Sequence, residues 1–215
     1  MHQLRTIFVE NFRSLQGEVA LPLDAPVVLI HGPNGSGKTS VLSALELALT
    51  GAVPAMRRTD VNYRSHLVHR GTKSSHIRLE VRDPASSTVR SDISITTGGL
   101  ITGTHLLESD LARLALHLSV KPSLPWLILD DPVQSMDEVH IAQFAALLRT
   151  FSKELGRQVI IAVHDRQLYE YLSLELSPAF EGDRLIRVEL GRSTSGTSIG
   201  DTDIRTWEPD RAVAA

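Results

Sequence analysis

The stretch GPNGSGKTS (residues 32–40) directly follows the apolar run PVVLIH (residues 26–31). It matches the phosphate-loop pattern G-x-x-x-x-G-K-[ST] at every fixed position. The apolar spacing of SVLSALELALTG (residues 40–51) predicts a helix directly after it. Glycines let backbone N–H groups turn toward an anion, and a helix start adds partial positive charge. Because a strand and a helix flank the loop as the pattern requires, a chance glycine-rich turn is the weaker interpretation.

Each residue type in this loop suits one task at a nucleoside triphosphate. Lys38 has the length to reach the outer phosphates, and the Thr39 hydroxyl is a hard oxygen ligand of the kind that Mg²⁺ prefers. Ser40 is also suited to capping or packing. A nucleoside triphosphate is therefore the expected ligand and Mg²⁺ the expected cofactor. We expect nucleotide contacts from Asn34, Gly35, Ser36, Gly37, Lys38, Thr39 and Ser40.

Composition restricts the class of protein. The chain has 215 residues, 42% hydrophobic and 22% charged, which is ordinary for one globular domain. A net charge of -3 gives no global signal for nucleic acid or membrane, and a local basic patch remains compatible with it. The absence of cysteine excludes disulfides, thiolate zinc sites and cysteine nucleophiles. No signal-peptide profile or apolar span is visible, so we expect a cytoplasmic protein without a membrane partner.

The pattern of apolar residues predicts an α/β fold with a P-loop core, a mostly parallel sheet and an antiparallel side sheet. A hairpin is expected at 76–83 and 88–96, since both segments alternate. The stretch 52–75 is expected to be irregular, and the polar residues from 193 onward to be loosely held. The other predicted strands are 3–9, 16–22, 26–31, 124–131, 158–165 and 183–192. The predicted helices are 40–51, 109–120, 138–155 and 166–177.

Two acids close the apolar run in LILDDPVQSMD (residues 127–137), which reads as a central strand buried on both faces. Ligands bind at the carboxyl edge of such sheets. We expect Asp130 to hold Mg²⁺ and Asp131 to orient or deprotonate the attacking water. His164 ends the next strand, IIAVHD (residues 160–165), within reach of a terminal phosphate. The alternatives are a plain acidic turn before Pro132 and a structural histidine.

Together with NFRS (residues 11–14), these motifs resemble the ABC-class ATPase heads of the SMC, RecF and RecN type. That family includes the coiled-coil ATPase that partners a double-strand-break nuclease. The resemblance implies Asp131, His164 and Lys38 as catalytic residues and Arg13 near the nucleotide. It also implies an ATP-dependent homodimer, with Ser135, Met136 and Asp137 crossing the dimer seam. DNA and a nuclease subunit are the further partners that it implies.

Three departures from the family pattern affect the expected activity. The signature loop should fall in LLESDLARL (residues 106–114), which lacks glycines; Gly98 and Gly99 as displaced remnants are the weaker alternative. Asp131 replaces the usual glutamate, so its carboxylate sits about 1.5 Å short and a slow ATPase is expected. No glutamine in 76–96 marks a Q-loop.

The third departure is the missing coiled coil. We expect one head over residues 1–215, with an N-lobe at about 1–97, a C-lobe at about 104–200 and a tail at 201–215. The glycine- and threonine-rich junction TTGGLITGT (residues 96–104) joins the lobes. The protein is then either a naturally short head or one from which the coil has been excised, and the junction favours excision slightly.

The sequence also contains a basic stretch after the first predicted helix. Residues 57–78 contain Arg57, Arg58, Arg64, Arg70, Lys73 and Arg78. This stretch is either a solvated face or a contact for a DNA backbone or a nucleotide.

The main alternative function is an ATP-binding switch or scaffold with little turnover, because the signature loop is degenerate. A transporter subunit would need the missing signature, and a small-molecule kinase would have no role for a histidine after the acidic strand.

Overall fold

The computed structural model describes residues 3–83, 85, 87–106, 125–133, 138–193 and 196–208. Its strands are β1 Gln3–Glu10, β2 Glu18–Pro22, β3 Val27–His31, β4 Ser74–Arg82, β5 Thr88–Thr96, β6 Ile101–Thr104, β7 Trp126–Asp130, β8 Gln158–Val163, β9 Arg184–Ser193 and β10 Gly196–Thr206. Its helices are α1 Lys38–Thr50, α2 Pro54–Thr59, α3 Glu138–Lys153 and α4 Arg166–Glu175, with a 3₁₀ helix at Tyr63–His66.

The strands form two sheets of five. The first has the order β2-β1-β4-β5-β6 and is antiparallel throughout. The second has the order β10-β9-β3-β8-β7, in which β9, β3, β8 and β7 run parallel and β10 is antiparallel. The predicted fold class, a mostly parallel core with an antiparallel side sheet, is confirmed.

Helix α1 lies in the main hydrophobic core. This core joins α1 to the inner face of the antiparallel sheet and to one face of the parallel sheet. Helices α3 and α4 cover the other face, around Leu148, Tyr169 and Leu172. The sequence predicts an amphipathic α1, but ten of its residues are buried, because it packs against a sheet on each side.

Two local predictions are wrong. The strand at 124–131 is expected in the centre of the sheet, yet among the described residues β7 is the end strand and is only half-buried. The residues after 193 are expected to be loosely held, yet Gly196–Thr206 forms β10 and pairs with β9. In β10 the alternation is carried by threonine and aspartate rather than by large apolar residues, so the sequence signal is weak.

The region between α1 and β7 also differs from expectation. The irregular stretch 52–75 contains α2 and the 3₁₀ helix. Part of the junction 96–104 forms β6, and Gly98 and Gly99 sit in the turn before it, so neither lies where a signature helix would begin. The junction is anchored, since the Leu106 N–H donates to the Ala48 carbonyl at 3.0 Å. Residues 107–124 and 134–137, with the expected helix and most of the signature and dimer-seam segments, lie outside the described residues.

A buried amide joins the two sheets. Gln158 begins β8 and is 4% exposed. Its Oε1 accepts a hydrogen bond from the Leu4 N–H at 2.8 Å, and its Nε2 donates to the carbonyls of Leu4, Leu23 and Ala25. These four contacts satisfy backbone groups of the antiparallel sheet and of the loop before β3. The side chain therefore fixes how the side sheet sits on the core.

Replacing this amide tests that role. We expect Gln158→Leu to lower the free energy of unfolding by about 3 kcal/mol, because it leaves several buried backbone groups without a partner. Urea unfolding followed by circular dichroism measures the change. Gln16→Leu is the matched control, since Gln16 is exposed and should change stability by less than about 0.5 kcal/mol. Equal stability of the two variants would contradict the role.

Candidate ATP site

The predicted site residues meet around one cavity of about 480 Å³ at the carboxyl edge of the parallel sheet. All of them line it except Ser36, whose side chain is buried, and His164, whose ring contacts the lining residue Asp131. Ser14 is a lining residue that the sequence did not single out. The lining residues are Arg13, Ser14, Asn34, Gly35, Gly37, Lys38, Thr39, Ser40, Asp130 and Asp131.

The phosphate loop connects β3 to α1 and is braced from within. Lys38 Nζ donates to the carbonyls of Gly32, at 2.6 Å, and Pro33, at 3.2 Å. Burial lowers the pKa of Lys38, and the nearby carboxylates of Asp131 and Asp130 oppose that effect. No side chain caps the start of α1, so its first N–H groups stay available for an anion.

Close packing from two elements shapes the loop at Gly37, whose φ is 101°. A Cβ there would stand 2.6 Å from Leu15 Cδ2 and 2.8 Å from Thr197 Oγ1. The Thr197 hydroxyl, on β10, also donates to the Ser36 carbonyl at 3.0 Å. A strand that the sequence did not predict therefore supports the loop, and glycine is required at Gly37 both for its φ and for this approach.

Thr39 and Asp130 form the pair expected to hold Mg²⁺. The Thr39 hydroxyl donates to Asp130 Oδ2 at 2.7 Å. Among the residues described, no group of three or more histidines and carboxylates is placed to hold a metal by itself. A hydroxyl and one carboxylate nevertheless fit Mg²⁺, which commonly takes only one or two protein oxygens and fills its shell with phosphate and water. The donor set agrees with a Mg²⁺ that arrives with ATP.

Asp131 and His164 form a hydrogen-bonded pair across β7 and β8. His164 Nδ1 lies 2.5 Å from Asp131 Oδ2, and the His164 backbone N–H donates to Oδ1 at 3.2 Å. The Asp131 N–H donates to the Ala162 carbonyl at 2.9 Å. A carboxylate on Nδ1 favours the tautomer that carries its proton there, which leaves Nε2 as an acceptor. The pair therefore offers a base at Nε2 as well as the carboxylate itself.

The arginine turn is tied to α1. Arg13 Nη1 donates to Ser43 Oγ at 2.6 Å, and the hydroxyls of Ser14 and Ser40 lie 2.8 Å apart. Burial lowers the pKa of Arg13, and the charge of Asp130 opposes the shift. Ser40 thus packs against the turn.

The backbone at two site residues is left-handed: φ is 51° at Arg13 and 49° at Asp131. Left-handed backbone at non-glycine residues costs about 1–3 kcal/mol and clusters at functional sites.

Comparison with known proteins identifies the family. A model of the AAA domain family (AAA_23) matches residues 6–116, more than half of the chain. The chain belongs to the AAA domain family. Its fold is also that of the SMC head domain from Thermotoga maritima, with a TM-score of 0.64 over 94% of this chain and 99% of that one, at 14% identity. This AAA domain therefore has the fold of an SMC head.

Two curated relatives show how much of their length is similar in sequence to this chain. The DNA replication and repair protein RecF of Deinococcus deserti is 31% identical over 129 residues, covering 60% of this chain and 32% of RecF. The zinc import ATP-binding protein ZnuC of Chromohalobacter salexigens is 29% identical over 152 residues, covering 65% and 62%. The AAA domain spans less than two thirds of either relative. None of the helices described is long and apolar enough to cross a membrane.

The close approach at Gly37 generates a prediction. We expect Gly37→Ala to weaken ATP binding by at least tenfold, because the methyl group would push Leu15 or Thr197 and strain the loop. Titration with a fluorescent ATP analogue measures the affinity. Gly98→Ala is the control, since its nearest neighbour would be the Thr96 hydroxyl at 3.8 Å. Unchanged affinity in Gly37→Ala would contradict a phosphate role for the loop.

Proposed function

We propose that this AAA domain binds and hydrolyses ATP as an SMC-like head and dimerises when ATP is bound, in DNA repair, DNA maintenance or defence. The observation that carries the proposal is the Asp131–His164 pair at the edge of the cavity formed by the phosphate loop. A nucleotide-binding loop needs no paired base merely to hold ATP. The pair provides what hydrolysis adds, namely a group that accepts a proton from water.

In the proposed reaction the γ-phosphoryl group lies against Lys38 and the start of α1. The oxygen of a water attacks the γ-phosphorus, its proton goes to the Asp131–His164 pair, and the bond from phosphorus to the β-γ bridging oxygen breaks. ADP and phosphate result. Mg²⁺, held by Thr39 and Asp130, would neutralise charge on the phosphate oxygens. Arg13, which also lines the cavity, adds a cation.

The short side chain of Asp131 is compatible with activating water because Asp131 is hydrogen-bonded to His164. Asp131 is one methylene shorter than a glutamate and would stand back from the phosphate on its own. His164 bonded to Asp131 holds the carboxylate in one orientation at the cavity wall and adds a second acceptor at Nε2. A slow ATPase fits this arrangement better than an inert one.

Two other functions remain as alternatives. A nucleotide switch or scaffold with little turnover would follow if the region 106–114 fails to act as a signature loop in a dimer. The similarity to ZnuC supports the ATP-binding subunit of a transporter as a second alternative. The arginine turn and the histidine-paired aspartate favour the SMC-like head. The excision of a coiled coil at 96–104 and a nuclease subunit as a further partner are also proposals.

An exposed cationic surface supports DNA as a partner. Arg57, Arg58, Arg64, Arg70 and Lys73 are exposed, and none of them has an ion pair within the part of the chain that the structure describes. Arg78 differs, because it pairs with Asp92 at 3.3 Å. Exposed cations without an ion-pair partner can neutralise the phosphates of a DNA backbone. We propose that these residues bind the DNA backbone without reading its sequence.

Turnover measurements on Asp131→Asn test the ATPase proposal. The amide cannot accept the proton, so we expect kcat to fall about a hundredfold. ATP affinity should change less than about threefold, because Asp131 is not a phosphate ligand. Phosphate release and binding of a fluorescent ATP analogue give the two values. Asp201→Asn, an exposed change on β10, is the control. Turnover in Asp131→Asn equal to that of the control would refute the assignment.

Replacing Arg57 and Arg58 by serine tests the DNA proposal. We expect affinity for a random-sequence duplex to fall about tenfold at 0.1 M salt, with a shallower dependence on salt, because two phosphate contacts are lost. Fluorescence anisotropy across a salt series measures both quantities. The control is Arg78→Ser with Arg90→Ser, which removes equal charge from residues already paired with Asp92 and Glu80. Equal losses in both variants would leave only a general charge effect and overturn this assignment.

A further inference from the structure

A second cluster of charged side chains lies at the end of the parallel sheet opposite the ATP cavity. Nitrogen atoms of Arg5, Arg82 and Arg184 lie 3.3, 3.5 and 3.8 Å from the same atom, Oδ2 of Asp24. We call these four residues the arginine cluster. Arg184 is the first residue of β9, and Asp24 shortly precedes β3. Since the five residues of β3 rise about 3.3 Å each, roughly 16 Å or more separates the cluster from the phosphate loop.

The cluster contains more positive than negative charge. Three guanidinium groups share one carboxylate, and the three arginine side chains are only 39, 39 and 37% exposed. The acids next to two of them in the chain are engaged elsewhere. Asp183 pairs with Lys153 at 2.7 Å, and Asp83 accepts from the Ala85 N–H. Because like charges repel more strongly where water is partly excluded, an anion bound here would relieve that repulsion.

Most N–H donors of the cluster have no acceptor. Within the ranges that the structure describes, the three guanidinium groups make a single hydrogen bond, from Arg5 Nη2 to Asp24 at 3.3 Å. Arg82 and Arg184 approach Asp24 only at ion-pair distance, and Arg184 Nε is buried without a hydrogen-bond partner there. Each guanidinium carries five N–H donors in a planar fork, which matches the oxygen atoms of a phosphate. Donors without acceptors therefore converge on one place.

The backbone positions part of the cluster independently of its ion pairs. The register of β1 against β4 shifts at Arg5, and a bulge of this kind redirects a side chain. The Arg5 carbonyl accepts from the Leu23 N–H at 2.7 Å. The carbonyls on both sides of Asp24 accept from Gln158 Nε2. Hydrogen bonds that a ligand would not disturb thus fix the backbone at Arg5 and Asp24.

We propose that the arginine cluster binds a phosphate dianion, either inorganic phosphate or the phosphate monoester of a small molecule. A phosphate monoester carries about −1.5 to −2 charges at pH 7, which offsets the excess positive charge of the cluster. Its free oxygens accept from several guanidinium groups at once. Asp24 holds these groups together and limits the affinity, because its charge opposes that of the ligand. The site is separate from the ATP cavity, so the inference does not depend on the proposed ATPase function.

Arginine side-chain NMR tests the site directly. In protein labelled with ¹⁵N-arginine, the Nε–H signals of Arg5, Arg82 and Arg184 are assigned by their loss in single glutamine variants. The protein carries Lys38→Ala, which weakens phosphate binding in the ATP cavity. Sodium phosphate and phenyl phosphate are titrated at constant ionic strength and about pH 7.5, where the monoester is a dianion because its second pKa is about 6. We expect saturable shifts of the cluster signals.

Two glutamine variants separate a site from general charge. In Arg82→Gln we expect phosphate affinity, followed at the Arg5 and Arg184 signals, to fall about tenfold, because a charge-assisted contact is lost. Arg90→Gln is the control, since it removes equal charge from a residue paired with Glu80 at 3.1 Å. Shifts that do not saturate, or equal losses of affinity in the two variants, would overturn the site.

The carboxylate gives a test of opposite sign. In Asp24→Asn we expect phosphate affinity to rise about tenfold, because the amide keeps the size of the side chain without the opposing charge. Dimethyl phosphate, a diester with one negative charge, should bind much more weakly than phenyl phosphate. Equal binding of the two would overturn the dianion assignment and instead fit a nucleic-acid backbone. Saturation by inorganic phosphate alone would support a site for the free ion, and saturation by phenyl phosphate as well would support a site that accepts monoesters.

Discussion

The parallel register of β3, β8 and β7 is the constraint on which the site depends. His31 at the end of β3 lies opposite Val163 of β8, and Asp130 at the end of β7 lies opposite Ala162. All three strands therefore end at the same edge. A slip of one residue in the β7–β8 pairing would turn the Asp130 side chain to the other face of the sheet. The loop, the acids and the histidine meet because the strands are in this register.

The surrounding structure stabilises a strained arrangement at that edge. Arg13 and Asp131 both have left-handed backbone, which unconstrained chains avoid. Arg13 is held by Ser43 of α1, and Asp131 by Ala162 of β8 and by His164 directly after that strand. Both anchors belong to elements in the buried core. The buried α1 thus keeps Arg13 in place and the buried β8 keeps Asp131 in place, so that core packing maintains the strained backbone at the site.

Sequence patterns predicted most of this architecture because its elements are local. The phosphate loop has a fixed spacing, and strands such as β3 and β8 are continuous apolar runs. Features that depend on partners distant in the chain were not predictable. The support of Ser36 by Thr197, the link of Gln158 to Leu4, and the His31–Tyr169 stack join residues far apart in sequence. The position of β7 in the sheet is likewise a property of strand order, which composition alone does not encode.

In the function proposed above, ATP binding closes two such heads and hydrolysis at the Asp131–His164 pair reopens them. Sedimentation velocity with ATP and Mg²⁺, on the native protein and on Asp131→Asn, tests this most directly. We expect a dimer that requires ATP, returns to monomer as the native protein hydrolyses the ATP, and persists in Asp131→Asn. A monomer under every condition, with ATP demonstrably bound, would contradict the account and leave the protein a nucleotide-binding switch.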